Sequence, residues 1–325
     1  MAGSAPRDGP EPVGHDDARR AFEEAWGAGR LHHAWLLTGP EGIGKASFAF
    51  WMARVLLKAT AADSTAARRI AAGSHADLLY IARGMDEKRQ RMRAEIVADD
   101  VRPIGQFLHR TAAEDGWRVV IVDGADFMNR SAANAILKIL EEPPPRAILI
   151  LTCAAPGRLL PTIRSRCRTL RLEPLQPERM HEVLARVAAE SAPEEIARVA
   201  PLAHGSPGRA LALLAGDGAV LGGLVARVLE TPPDEGAMYE IAESVLKREN
   251  GFPVFFDLLC DAISKHARAL ALRERRGGEH ADGSQSARRM AELWRRLTDL
   301  RVETERFNLD KQQALLSGLT LVSGR

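Results

Sequence analysis

Three runs of the chain, AWLLT (34–38), RVVIVD (118–123) and AILILT (147–152), are apolar at nearly every position over the length of a strand. A strand with one wet face alternates apolar and polar residues, whereas a strand covered on both faces reads as a continuous apolar run. LLYIAR (78–83) is a further strand candidate. Helical patterns lie between the runs. Residues 16–30 carry Ala18, Phe22, Ala25 and Trp26 at helical spacing, with GAGR closing the helix. A second helix is predicted from near Gly44, with Phe48, Met52, Val55 and Leu56 on one face. VADDVRPIGQFLHRTA (97–112) suits a helix opened by Asp99 or Asp100. In NRSAANAILKILEEPPP, Ala133, Ile136, Leu137 and Leu140 form an i, i+3, i+4, i+7 stripe that Pro143 stops. Strands alternating with helices predict an α/β core with a parallel sheet and helices on both faces, over about residues 12–172.

The pattern then changes. LEPLQPERM (172–180) is marked by prolines, and every periodic segment after Pro177 is helical. The expected organisation is a lead-in over 1–11, the α/β domain over 12–172, a small helical domain over 173–218 and a helical domain over 219–325. The charged run MDEKRQRMR (85–93) is expected as a solvated loop, and RGGEHADGSQS (276–286) as a mobile one. The lead-in is polar, rich in Pro and Gly, and lacks an apolar targeting segment.

Composition excludes several classes. Lys and Arg number 45 against 43 Asp and Glu, so bulk charge does not drive nucleic-acid binding. The three cysteines, Cys153, Cys167 and Cys260, are far apart, which supports neither a zinc site nor a disulfide framework and fits a reducing cytoplasm. The most membrane-like run, ALALLAGDGAVLGGLVARVL, is broken by Asp217 and by glycines at 216, 218, 222 and 223. A soluble, cytoplasmic protein is expected.

Two motifs point to phosphate. GPEGIGKAS (39–47) follows the first strand and opens a helix, the context of a phosphate-binding loop. Gly39, Gly42 and Gly44 let the backbone N–H groups turn inward, and Lys45 supplies a point charge. The position after the lysine should carry a hydroxyl for magnesium, but it is Ala46; Ser47 lies about 100° further round the helix. The second motif is VVIVDGAD (119–126), where Asp123 ends an apolar strand as a Walker B carboxylate does. The third signal, RLLPTIRSRCRTLRLEPL (158–175), has arginines at 158, 164, 166, 168 and 171 and no acid before Glu173. At the rim of the core, a planar guanidinium of fixed charge is suited to a neighbouring subunit's phosphate.

Together these stretches resemble the clamp-loader branch of the AAA+ family. GRLHHAWLLTGPEGIGK, GWRVVIVDGADFMNRSAANAILKILEEPP, LLPTIRSRC and FNLDKQQALLSGL carry the likeness over most of the chain, and the tripeptide Ser165–Arg166–Cys167 is its most specific part. The resemblance implies a RecA-like P-loop domain, a helical lid and an all-α collar. It maps an arginine finger, supplied in trans, onto Arg166. Gly124 stands where the family's ATPases place the glutamate that activates water, and Asp126 is a poor substitute in the turn. Thr152 and Arg209 are sensor candidates, although the family's lid arginine would fall at Gly208.

The implied role is a non-hydrolysing scaffold within the DNA polymerase III holoenzyme, with room for ATP or ADP that it does not cleave. Its implied partners are the ATPase subunits (tau/gamma) and the delta subunit in a hetero-pentamer, with the sliding clamp and primer–template DNA reached through the complex. No zinc is expected, because 58–79 lacks the family's cysteines; His75 and Asp77 are then loop-capping residues. The alternative is an ATP-hydrolysing motor subunit with weakened motifs, for which Glu141 or Glu142 would act as base.

Overall fold

The computed structural model describes residues 6–7, 12–61, 63–86, 91–110, 112, 116–276 and 281–324. The chain divides into two compact units, Met1–Ala189 with His204–Arg209, and Glu190–Ala203 with Ala210–Arg325.

The first unit begins with α1 (Asp16–Gly27), β1 (Ala34–Thr38), α2 (Lys45–Leu56) and α3 (Thr65–Ala71). It continues through β2 (Leu78–Ile81), the short β3 (Met85–Asp86) and β4 (Arg91–Met92), α4 (Ala98–Val101) and α5 (Pro103–His109). Then come β5 (Arg118–Val122), α6 (Arg130–Glu141), β6 (Ala147–Cys153), α7 (Pro161–Arg164), β7 (Arg168–Arg171) and α8 (Pro177–Val187). Five strands form one parallel sheet in the order β2-β5-β6-β1-β7.

The continuous apolar runs are explained by the two faces of this sheet. Trp35, Leu37, Val119, Ile121, Ile148 and Ile150 pack on one side with Phe22, Phe48, Met52 and Ile70 from α1, α2 and α3. The alternate residues Leu36, Val120, Val122, Leu149 and Leu151 pack on the other with Ile104, Leu108, Ile136 and Leu140 from α5 and α6. Every position of β1, β5 and β6 is buried, because the side chains of each strand alternate between two covered faces. This is the RecA-like α/β arrangement.

Local chemistry revises four expectations. The run 85–93 is not simply a loop: Met85 pairs with Met92 and Asp86 with Arg91 in an antiparallel ladder, since charge marks exposure and not the absence of a strand. Its tip, 87–90, lies outside the described residues. The helix expected over 97–112 starts at Ala98, where Asp100 Oδ2 accepts the Val97 N–H at 2.8 Å, and divides at Pro103, which has no N–H to continue it. Within the arginine-rich stretch, 168–171 is the edge strand β7. Finally, 281–286 is helical, and only 277–280 of the expected loop lies outside the described residues. A helix nucleated by packing elsewhere propagates through polar residues at little cost.

The second unit is helical, with α9 (Pro193–Val199), most of α10 (Pro207–Ala215), α11 (Gly218–Glu230), α12 (Glu235–Leu246), α13 (Gly251–Arg276), α14 (Ala281–Phe307) and α15 (Lys311–Val322). Its buried residues include Leu221, Val225, Ile241, Val245, Phe255, Phe256, Leu297 and Leu319. Gly318 lets α15 approach α13 closely: a Cβ there would lie 3.0 Å from Phe256 Cζ. Among the described residues no single helix is long and apolar enough to cross a membrane; the most apolar pair, α10 and α11, is bent by 94°.

Candidate functional site

The glycine loop lies between β1 and α2, and its three glycines have φ values that other residues rarely adopt: 152° at Gly39, 73° at Gly42 and 102° at Gly44. At Gly39 a Cβ would also lie 2.4 Å from Leu172 O, where the chain leaves β7. The loop therefore has the shape that the sequence predicts. Its carbonyls are bonded by this chain. Lys45 Nζ donates to Gly39 O at 2.9 Å and Pro40 O at 2.7 Å. Ser206 Oγ donates to Glu41 O at 2.9 Å, the Gly208 N–H to Gly42 O at 2.8 Å and His15 Nε2 to Ile43 O at 3.1 Å.

Lys45 is 9% exposed, and burial lowers its pKa, opposed by the charges of Asp126, Asp123 and Glu41. Its ammonium is spent on the loop itself.

Asp123 leaves the C-terminal end of β5 as the sequence predicts, but its two carboxylate oxygens have protein partners. Thr152 Oγ1 donates to Oδ1 at 2.6 Å and accepts the Gly124 N–H at 2.8 Å. The Tyr80 hydroxyl donates to Oδ2 at 2.9 Å, and burial together with Asp123 raises the pKa of that phenol. Tyr80 was no sequence candidate; a tyrosine on the strand neighbouring an apolar Asp-terminated one was the available signal. Gly124 has φ 80°, and a Cβ there would lie 2.8 Å from Phe127 Cδ2, over whose ring Arg83 stacks at 3.7 Å.

Asp126 is turned into the protein. It lies in a 3₁₀ turn, Ala125–Phe127, is 9% exposed, and accepts the Ala155 N–H at 3.0 Å and the Ala154 N–H at 3.3 Å. It ties that turn to the end of β6 and offers no base to the solvent. Cys153 beside it is buried, which pushes its thiol up to about 12 and keeps it protonated.

The structure thus brings Gly39, Gly42, Gly44 and Lys45 into one loop, and Asp123 and Thr152 into one hydrogen-bonded pair. Arg209 is present through its backbone, whose N–H donates to Ser206 Oγ at 3.3 Å. Of the groups that hold a magnesium-bound polyphosphate, the hydroxyl after the lysine is missing at Ala46, while Asp123 accepts one hydrogen bond at each oxygen and Lys45 faces its own loop.

Arg166 belongs to a separate cluster. It pairs with Glu141 at 2.9 Å and donates to Thr162 O at 3.1 Å, with about a third of its side chain exposed (36%). Glu141, at the end of α6, is thereby committed to Arg166, and Glu142 is exposed. Of the neighbouring arginines, Arg168 stacks over Trp35 at 4.9 Å and Arg171 lies 3.7 Å from Glu173. Arg158 and Arg164 are exposed. His75 Nδ1 accepts the Asp77 N–H at 3.2 Å, so the imidazole closes a turn.

The family model described as "DNA polymerase III, delta subunit" matches residues 14–176. The delta' subunit of Pseudomonas aeruginosa DNA polymerase III is 36% identical over 192 residues, covering 57% of this chain and 57% of that protein. The delta' subunit of Escherichia coli is 30% identical over 247 residues, covering 74% of this chain and 72% of that protein. The tau subunit of E. coli is 30% identical over 241 residues, 70% of this chain but 36% of that protein. The chain spans just over half of the P. aeruginosa relative, 57%. With an AAA+ P-loop fold and a matching family model over half its length, the chain belongs to the DNA polymerase III delta-subunit family, among the delta'-type clamp-loader proteins.

Proposed function

We propose that this protein is a non-hydrolysing subunit of a DNA polymerase III clamp loader, which completes a neighbouring subunit's ATP site with Arg166. The observation that carries the reading is the committed state of Asp123: with Thr152 on one oxygen and Tyr80 on the other, the carboxylate that would orient magnesium is satisfied internally. Gly124, in a left-handed conformation, supplies no base, and Glu141 is held by Arg166. Arg166 lies in the tripeptide that carries the family resemblance, with its guanidinium partly open to solvent. An arginine that reaches a neighbour's phosphates is worth about 10³- to 10⁵-fold in rate.

The partners in this reading are the tau/gamma ATPase subunits and the delta subunit, in a hetero-pentamer that places a sliding clamp on primer–template DNA in the cytoplasm. The test compares ATP turnover by the isolated chain with turnover by the reconstituted complex, with clamp and primed DNA present. The isolated chain shows none, addition of the chain raises turnover by its partners, and Arg166→Ala removes most of that increase. Magnesium-dependent turnover by the isolated chain would exclude the scaffold role. Unchanged complex turnover with Arg166→Ala would exclude the finger.

A further inference from the structure

Glu141 stands where a helix has no use for it. It is the last residue of α6, and Glu142 follows, although the partial negative charge at a helix C-terminus disfavours carboxylates there. The countercharge is Arg166, whose Nη2 lies 2.9 Å from the Glu141 carboxylate. Both sides of this pair stand on fixed elements. His33, at the entry to β1, donates from Nε2 to Leu140 O at 3.0 Å, and Leu140 is itself buried, so the end of α6 is pinned beside Glu141. On the other side, Leu159 and Ile163 seat α7 in the same apolar cluster as Leu140.

The tripeptide 165–167 is then explained residue by residue. The backbone N–H groups of Ser165 and Arg166 go to Pro161 O and Ile163 O, which leaves Thr162 O between them to side chains. Ser165 Oγ donates to it at 3.2 Å and Arg166 Nη1 at 3.1 Å. Cys167 packs against the apolar cluster. Arg166 is thus held at one terminal nitrogen by Thr162 O and at the other by Glu141. A planar guanidinium held at both terminal nitrogens has its plane determined, and it keeps further N–H donors for a ligand.

We propose that Glu141 is the positioning residue of Arg166: together with Thr162 O, it presets the guanidinium for a neighbouring subunit's phosphates. This role rests on the reading of Arg166 as a finger supplied in trans. A long side chain loses conformational freedom when it docks, and here that loss is borne on folding, before the neighbour arrives. The pair is open to solvent, with 36% of the Arg166 side chain and 50% of the Glu141 side chain exposed. Exposed pairs contribute little to stability, so Glu141 acts on the direction of Arg166 and not on whether the chain folds.

The experiment has two readouts, for wild type, Glu141→Ala, Glu141→Gln and Arg166→Ala. In the isolated chain, the rate at which phenylglyoxal modifies Arg166, followed by peptide mass spectrometry, reports how firmly the guanidinium is held. In the reconstituted complex with clamp and primed DNA, the readout is the increase in ATP turnover that the chain gives its partners. Glu141→Ala speeds the modification about two- to fivefold and lowers that increase by a similar factor, the range open to an exposed ion pair. Glu141→Gln, whose amide oxygen still accepts from Nη2, stays close to wild type in both. Arg166→Ala removes most of the increase. Wild-type or higher turnover in Glu141→Ala, beside a loss in Arg166→Ala, overturns the positioning role and leaves the finger standing. An unchanged modification rate in Glu141→Ala overturns it in the isolated chain, whatever the complex does. A Glu141→Gln as impaired as Glu141→Ala overturns it too, since the effect then follows the end of α6 and not the bond. Unchanged turnover in Arg166→Ala removes the finger, and the positioning role with it.

Discussion

The Tyr80 hydroxyl donates to Asp123 Oδ2 at 2.9 Å, and this contact joins the edge strand β2 to the end of the buried strand beside it. Thr152 holds the other oxygen from the opposite neighbour, β6. The two bonds differ in what replaces them. Tyr80 is 36% exposed, so in Tyr80→Phe water takes over its bond, and the loss is about 1 kcal/mol. Thr152 is 1% exposed and serves both Asp123 Oδ1 and the Gly124 N–H. Thr152→Val strands both groups and costs about 2–3 kcal/mol, because a buried group left unpaired retains its desolvation penalty. Urea unfolding of the two variants beside wild type checks the order.

Restoring the missing acid at 124 does not restore an enzyme. Any residue but glycine there meets φ 80° and a Cβ contact of 2.8 Å with Phe127 Cδ2. The left-handed conformation alone costs about 1–2 kcal/mol, and Phe127 is backed by Arg83, so it does not yield freely. Gly124→Glu is expected to lower the unfolding midpoint by several degrees, with no magnesium-dependent ATP turnover in the isolated chain. Scanning calorimetry and a phosphate-release assay on one preparation check both.

The sequence makes some of this legible and conceals the rest for identifiable reasons. β1, β5 and β6 are buried on both faces, so their apolar runs locate them almost to the residue. β7 is an edge strand with Leu170 buried and Arg168, Thr169 and Arg171 exposed, a pattern that reads as an arginine-rich loop until its pairing with β1 is seen. Gly39, Gly42, Gly44 and Lys45 are readable because a local turn determines them. The partners of the loop are not. Ser206 and Gly208 lie more than 160 residues further along the chain (a separation of 165 for Ser206 and Glu41), and no local pattern predicts that pairing. The engagement of Asp123 by Tyr80 and Thr152 is likewise a product of strand order.

Arg118 shows how a buried charge serves the framework of the site. At the start of β5 and 8% exposed, it donates to Leu108 O and Arg110 O at the end of α5, and to Pro145 O at 2.6 Å before β6. One guanidinium thereby satisfies three carbonyls that the fold would otherwise leave unpaired. Arg118→Met is expected to cost about 2–4 kcal/mol, since the charged bonds are lost and their acceptor carbonyls are left unpaired. Arg168→Met, which removes an exposed guanidinium from over Trp35, is expected to cost about 0.5–1 kcal/mol. Chemical denaturation of the two variants separates a framework arginine from a surface one.

Two histidines are expected to set the acid limit of stability. His15, bonded to Ile43 O in the glycine loop, has its pKa lowered by burial, against weaker upward pulls from that bond and from Asp16. His33 is lowered by burial and then by His32, whose ring stacks on it at 4.4 Å; its bond to Leu140 O opposes the shift. A histidine whose folded pKa lies below its unfolded value of 6.5 is protonated first in the unfolded chain. Its stabilising contribution is complete above pH 6.5 and is lost as pH falls through the folded value. Stability is therefore expected to decline as the solution is acidified below pH 6.5, before most carboxylates titrate. The double variant His15→Gln/His33→Gln should flatten that decline while losing some stability at neutral pH, where both native hydrogen bonds are gone. Unfolding midpoints measured at intervals from neutral pH down to about pH 5 give the slope, which counts protons taken up on unfolding. An equal slope in wild type and double variant would place the acid limit elsewhere in the molecule.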